Sequence, residues 1–105
     1  MKFLVKIEPL NAIPANPKES LQLLLASLDY WDRIIKSGKA VGGNFAEGQG
    51  GGGIVEVESL KELNAMLSGA PNAGMIRYEV HGLTSIEDGM KVVRQQLEDL
   101  QKTRK

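Results

Sequence analysis

The amino-acid sequence predicts an α+β domain. A four-stranded antiparallel sheet carries helices on one face in the order β-α-β-β-α-β, and an extra helix follows at the C-terminal end. Three observations predict this. Apolar and polar residues alternate over residues 2–8, over 54–58 and again near 75–83, which is the period of a half-buried strand. Leucine-rich stretches with helical spacing lie between these segments. Each stretch stops at a glycine, in Ser37-Gly38-Lys39 and in Leu67-Ser68-Gly69-Ala70-Pro71. Helices and strands in this order place both helices on one side of the sheet, and right-handed crossovers give the strand order 4-1-3-2.

The length of 105 residues fits one domain. Residues 1–83 form the sheet domain, and residues 84–105 form a C-terminal helix that serves assembly. Lys+Arg and Asp+Glu both number 13, so the formal net charge is zero. That removes the electrostatic drive toward nucleic acid or anionic membranes, and neither is expected as a partner. There is no cysteine, hence no disulfide framework and no thiolate metal site. The run Met1-Lys2-Phe3-Leu4-Val5-Lys6 has charges inside its apolar stretch, unlike a signal peptide. No apolar run approaches the roughly 20 residues of a membrane span. A cytoplasmic protein is the expectation.

The first strand is read over residues 2–8, with Phe3, Val5 and Ile7 on one side. Pro9, Pro14 and Pro17 then enforce a loop, because each fixes φ and removes a donor. The first helix starts near Pro17 and carries the stripe Leu21, Leu24, Leu25, Leu28, Trp31 and Ile35. Gly38 ends it. The second strand, about 39–47, is weakened by Gly42 and Gly43, which mark an edge or a bulge. Residues 48–53 read as the turn and residues 54–58 as the third strand. Ser59-Leu60-Lys61-Glu62 has the form of a capping box, opening a short helix over 60–68 with Leu60, Leu63 and Leu67 inward. The fourth strand covers about 75–83. Thr84 or Ser85 then caps a last helix in which Ile86, Met90, Val93, Leu97 and Leu100 recur at spacings of 4, 3, 4 and 3, an a/d seam. The polar tail 101–105 is expected to fray.

Strand alternation sorts the side chains between two faces. Phe3, Val5, Ile7, Val55, Val57, Ile76, Tyr78 and Val80 face the helices. Leu4, Lys6, Glu8, Ile54, Glu56, Glu58, Arg77, Glu79 and His81 share the other face. An open face in a domain this small is expected to meet a second copy, so the chain reads as a homo-oligomer, a dimer or higher, enclosing a polar interior.

These features together resemble the muconolactone Δ-isomerase family, within the dimeric α+β barrel group built on a ferredoxin-like unit. The matching residues are Ile13-Pro14 and Pro17, Ser37-Gly38-Lys39, Gly48-Gln49, Val57-Glu58-Ser59, Glu62-Leu63, Leu67-Ser68-Gly69, Pro71, and Glu79-Val80 with Leu83. They span about residues 1–83. The sequence departs from the pattern at Leu4, where the family carries His, and in Ala40-Val41-Gly42-Gly43-Asn44, where the family is rich in large residues. Lys6 replaces an Arg and Glu56 an Asp, each with its charge kept. The resemblance implies a dimeric barrel and an isomerase-like activity on an unsaturated lactone.

Read on their own chemistry, Lys6, Glu56, Arg77, Glu79 and His81 are the best constellation, since alternation puts all five on one face. Shifting a double bond beside a carbonyl needs a base that takes a proton and returns it elsewhere, plus positive charge near the enolate oxygen. Glu56, Glu79 and His81 are the catalytic candidates. Lys6 and Arg77 are the substrate-binding candidates, suited to a small carboxylated ligand. This chemistry calls for no metal and no organic cofactor. The alternatives are ion pairs that only fix a subunit interface, a small-ligand-binding or scaffold protein of the same fold, and, by fold analogy alone, a cofactor-free monooxygenase. Gly48-Gln49-Gly50-Gly51-Gly52-Gly53 contains G-x-G-x-x-G but leads into a strand, not a helix, so it is read as a hairpin tip rather than a dinucleotide site.

Overall fold

The structure is a computed structural model that describes residues 1–10 and 16–103. Its elements are β1 (Lys2–Pro9), α1 (Pro17–Lys36), β2 (Ala40–Asn44), β3 (Gly51–Glu56), α2 (Leu60–Ser68), β4 (Ile76–Leu83) and α3 (Ile86–Thr103). A 3₁₀ turn, Ala73–Met75, leads into β4. The strands form one antiparallel sheet of order β2-β3-β1-β4, the expected order read from the opposite edge. The Ile13-Pro14 loop lies outside the described residues.

Local chemistry sets the helix ends. The Asn16 side chain accepts from the amides of Lys18 and Glu19 at 3.0 and 3.3 Å, and Pro17 occupies the first turn, where a missing N–H costs nothing. Gly38 leaves α1 at φ 86°, a conformation that favours glycine. Ser59 Oγ accepts from the Glu62 amide at 3.1 Å. The Glu62 carboxylate returns not to the Ser59 amide but one residue further, to Glu58 N at 2.9 Å. Ser85 caps α3 by accepting from the Asp88 amide at 3.0 Å.

Phe3, Val5 and Val55 from the sheet meet Leu63 and Met66 of α2, with Ala40 and Val57 completing the buried cluster. Trp31, Ile34 and Ile35 of α1 pack against it. The Tyr30 hydroxyl donates to the Met66 carbonyl at 2.8 Å and the Tyr78 hydroxyl to the Leu67 carbonyl at 2.7 Å. The two phenols thus tie α1 and β4 to α2. Burial, with a smaller contribution from Tyr30, pushes the Tyr78 phenol up to about 12.

Four expectations change. Gly51, Gly52 and Gly53 are not a turn but half of β3, paired with both β1 and β2. The two ribbons approach so closely that a Cβ on Gly53 would lie 2.4 Å from the Val41 carbonyl oxygen, and one on Gly42 2.3 Å from that of Gly52. Glycine is therefore required here by contact, not by flexibility. Second, Leu21, Leu24, Leu25 and Leu28 are exposed. The inward line of α1 runs through Ser27, Tyr30, Trp31 and Ile34, about a third of a turn from the leucines at 3.6 residues per turn. Third, Leu60 is exposed and Met66 fills the core in its place. Fourth, α3 remains helical through Thr103.

α3 stands away from the rest of the molecule. The molecule measures 69 × 29 × 26 Å, with a radius of gyration of 18.8 Å, whereas a compact chain of this length has about 13 Å.

Candidate functional site

The register of β1 with its two neighbours arranges the helix-free face in rows. Leu83, Lys2 and Glu56 form the first row; His81, Leu4, Ile54 and Val41 the second. Glu79, Lys6, Gly52 and Gly43 form the third, and Arg77 with Glu8 the fourth. Directly opposed residues on adjacent strands share a face, so the rows follow from pairing alone.

Lys6 Nζ lies 3.4 Å from Glu79 Oε2, and His81 Nε2 lies 3.5 Å from the other carboxylate oxygen, Oε1. Glu79 is thus held between an ammonium and an imidazole. The Lys6 hydrogen bond and charge, followed by the His81 contact, hold its carboxyl below the usual carboxylate range. The side chains are half open to solvent in the single chain, Lys6 at 42% and Glu79 at 50%. At that exposure the pair contributes little to folding.

The other candidates lie elsewhere on the face. Glu56 pairs with Lys2 at 3.9 Å. Lys2 and Lys6 are four residues apart on β1, about 13 Å at the strand rise, so Glu56 does not join the Glu79 cluster. Arg77 is engaged by the Glu8 carboxylate in the row beyond. Of the five residues the sequence grouped, the geometry brings together three, Lys6, Glu79 and His81.

Phe45 was not anticipated. Its ring lies 3.6 Å from where a Gly52 Cβ would sit, beside Lys6 on the polar face. The alternation Val41, Gly43, Phe45 along β2 and just beyond it carries the signal. The ring supplies an apolar wall to a face whose floor is backbone at Gly52 and Gly43.

An open cleft of about 530 Å³ lies at the end of the sheet, between Met1, Lys39, Glu56, Val57, Glu58 and Glu62. Its charges are satisfied locally. Lys39 Nζ meets Glu62 Oε1 at 3.1 Å, and the Met1 ammonium donates to the Val57 carbonyl at 2.9 Å. The Glu58 amide and then Lys39 keep the Glu62 carboxyl low. The cleft is the space beside the α2 cap. Among the described residues, no three His, Cys, Asp or Glu side chains are placed to hold a metal ion, and no helix is long and apolar enough to cross a membrane.

No family model and no curated protein sequence matches the chain. Solved structures do. Muconolactone isomerase superposes with a TM-score of 0.72 at 22% identity, over 81% of this chain and 90% of that one. The 5-chloro-2-hydroxyhydroquinone dehydrochlorinase of Burkholderia phenoliruptrix, in complex with 2,5-dihydroxybenzoquinone, superposes with a TM-score of 0.60 at 22% identity, over 80% and 94%. The fold is muconolactone isomerase-like.

Proposed function

We propose that the protein is a cofactor-free isomerase that shifts a double bond in a small unsaturated lactone or a related carboxylated metabolite. The observation that carries this reading is the convergence of Lys6 and His81 on the two oxygens of Glu79. The likeness to two solved proteins that act on small oxygenated rings supports the substrate class.

In this mechanism Glu79 is the base. The C–H bond next to the lactone carbonyl breaks, its proton passes to Glu79, and its electron pair delocalises toward the carbonyl oxygen. Lys6 stabilises that developing charge. The proton returns to the far carbon of the conjugated system, so atoms and electrons balance without a co-reactant. His81 shares its hydrogen with the second Glu79 oxygen and positions the carboxylate. Arg77 takes the substrate carboxylate once displaced from Glu8. The exposed face becomes a closed cavity when the sheet of a second copy covers it. Exclusion of water then strengthens the attraction of Lys6 for the developing negative charge.

A ligand-binding protein or scaffold without turnover is the second reading. It is favoured by β2, which offers only Val41 and Gly43 to this face. Turnover of a panel of unsaturated lactones, followed by ultraviolet absorbance, separates the two. Conversion by the parent that is lost in Glu79→Gln supports the isomerase. Binding without conversion supports the scaffold.

A further inference from the structure

We propose that Gly43 and Phe45 determine which ligand the Glu79 site takes: one whose anionic end meets Lys6 and whose flat apolar body lies across the backbone of Gly52 and Gly43. This rests on the reading of Lys6, Glu79 and His81 as a site, and adds the shape and polarity of its occupant.

A glycine inside a strand marks a bulge or the close approach of another backbone or a ligand. For Gly42, Gly51 and Gly53 the reason is a neighbouring backbone. A Cβ on them would lie 2.3, 2.6 and 2.4 Å from the carbonyl oxygens of Gly52, Gly43 and Val41. Gly43 differs. A Cβ there would meet nothing within 4 Å among the described residues. Its φ is not positive, and its pairing with Gly52 sits in an unbroken register, so there is no bulge. A β-branched residue would suit the strand better. What Gly43 provides is space. It continues the row of Glu79, Lys6 and Gly52 to the outer strand. From Lys6 to Gly43 that row crosses two strand spacings, about 10 Å, and carries no side chain beyond Lys6.

The borders of this gap are apolar. Ile54 and Val41 flank it in the neighbouring row, exposed at 37% and 66%. Phe45 flanks it on the other side, with its ring leaning to 3.6 Å from the Gly52 Cβ position. The gap is two missing side chains long and one side chain wide. At its inner end stands Lys6, whose ammonium carries three donors, more than the single Glu79 oxygen at 3.4 Å uses. A ligand charged along its whole length would bury charge against Ile54, Val41 and Phe45, at a cost. A ligand with one anionic end and a conjugated ring fits both parts, and the ring gains contact with the Phe45 face or edge.

Binding of naphthalene-2-carboxylate and of but-2-enoate, measured by calorimetry, tests this on the parent protein, Gly43→Val, Phe45→Ala and Lys6→Ala. The parent should bind the naphthalene acid at least about tenfold more tightly, because its rings bury apolar area that the short acid lacks. Gly43→Val and Phe45→Ala should each weaken the naphthalene acid by about tenfold and leave but-2-enoate within about twofold. Lys6→Ala should weaken both. Gly43→Val meets no internal contact, so it should keep the parent's thermal unfolding and its mass in sedimentation. It thereby stands apart from any folding cost of Phe45→Ala. The readout is binding, so a parent that shows this preference yet converts no lactone contradicts the isomerase reading alone. An unchanged naphthalene affinity in Gly43→Val, an equal loss of both acids, or no preference in the parent would overturn the proposal. So would a changed mass in Gly43→Val, since Gly43 would then admit a second copy rather than a ligand.

Discussion

At the scale of single residues, the proposed chemistry rests on Glu79. Its carboxyl is held low first by the Lys6 hydrogen bond, so Lys6→Ala should move the acid limb of the rate profile up toward the ordinary value of 4.5. A pH–rate series on both proteins checks this. Stability obeys the same sign. A folded-state pKa below the unfolded one contributes stability above about 4.5 that fades as the pH falls through the folded value. Tyr78 works in the other direction. Its phenol ionises at about 12 when folded and 10.0 when not, so stability should decline between those values as the pH rises. Urea unfolding at pH 10 to 12 should show that decline, and Tyr78→Phe should flatten it. Which side chains share the polar face was legible from alternation in β1 and β4. Which of them touch was not. Pairing register decides that, and it sends Glu56 to Lys2 and Arg77 to Glu8.

At the scale of elements, caps and close approaches set the boundaries. Ser59→Ala removes an N-cap acceptor and should destabilise the protein by about 1 kcal/mol, measured by urea denaturation. Gly53→Ala forces a Cβ toward the Val41 carbonyl and should cost about 1–3 kcal/mol, as overpacking does. The helices were legible because proline, glycine and serine punctuate them at the right places. The glycine ribbon was not. A run of glycines carries no side-chain pattern, and the same composition serves a mobile tip or a tightly apposed strand pair. Only the distance between the β2 and β3 backbones distinguishes them. The leucines of α1 misled for a related reason. Leu21, Leu25 and Leu28 form as good a stripe as the true inward line, and periodicity does not say which stripe meets the sheet and which meets another surface.

At the scale of the whole molecule, the sheet order and the placing of α1 and α2 on one face follow from β-α-β-β-α-β and handedness alone. The outward course of α3 does not. Its 4-3-4-3 seam was legible in the sequence, while the direction of departure depends on the few residues between Leu83 and Ile86. The account's central claim is that the Lys6–Glu79–His81 cluster transfers a proton. It is tested most directly by following an unsaturated lactone in deuterated water by proton NMR, with the parent protein, Glu79→Gln and Glu56→Gln. The account predicts isomerisation by the parent and by Glu56→Gln, and a loss of at least 100-fold in Glu79→Gln, the low end of what a positioned general base contributes. Equal rates for Glu79→Gln and the parent would contradict it.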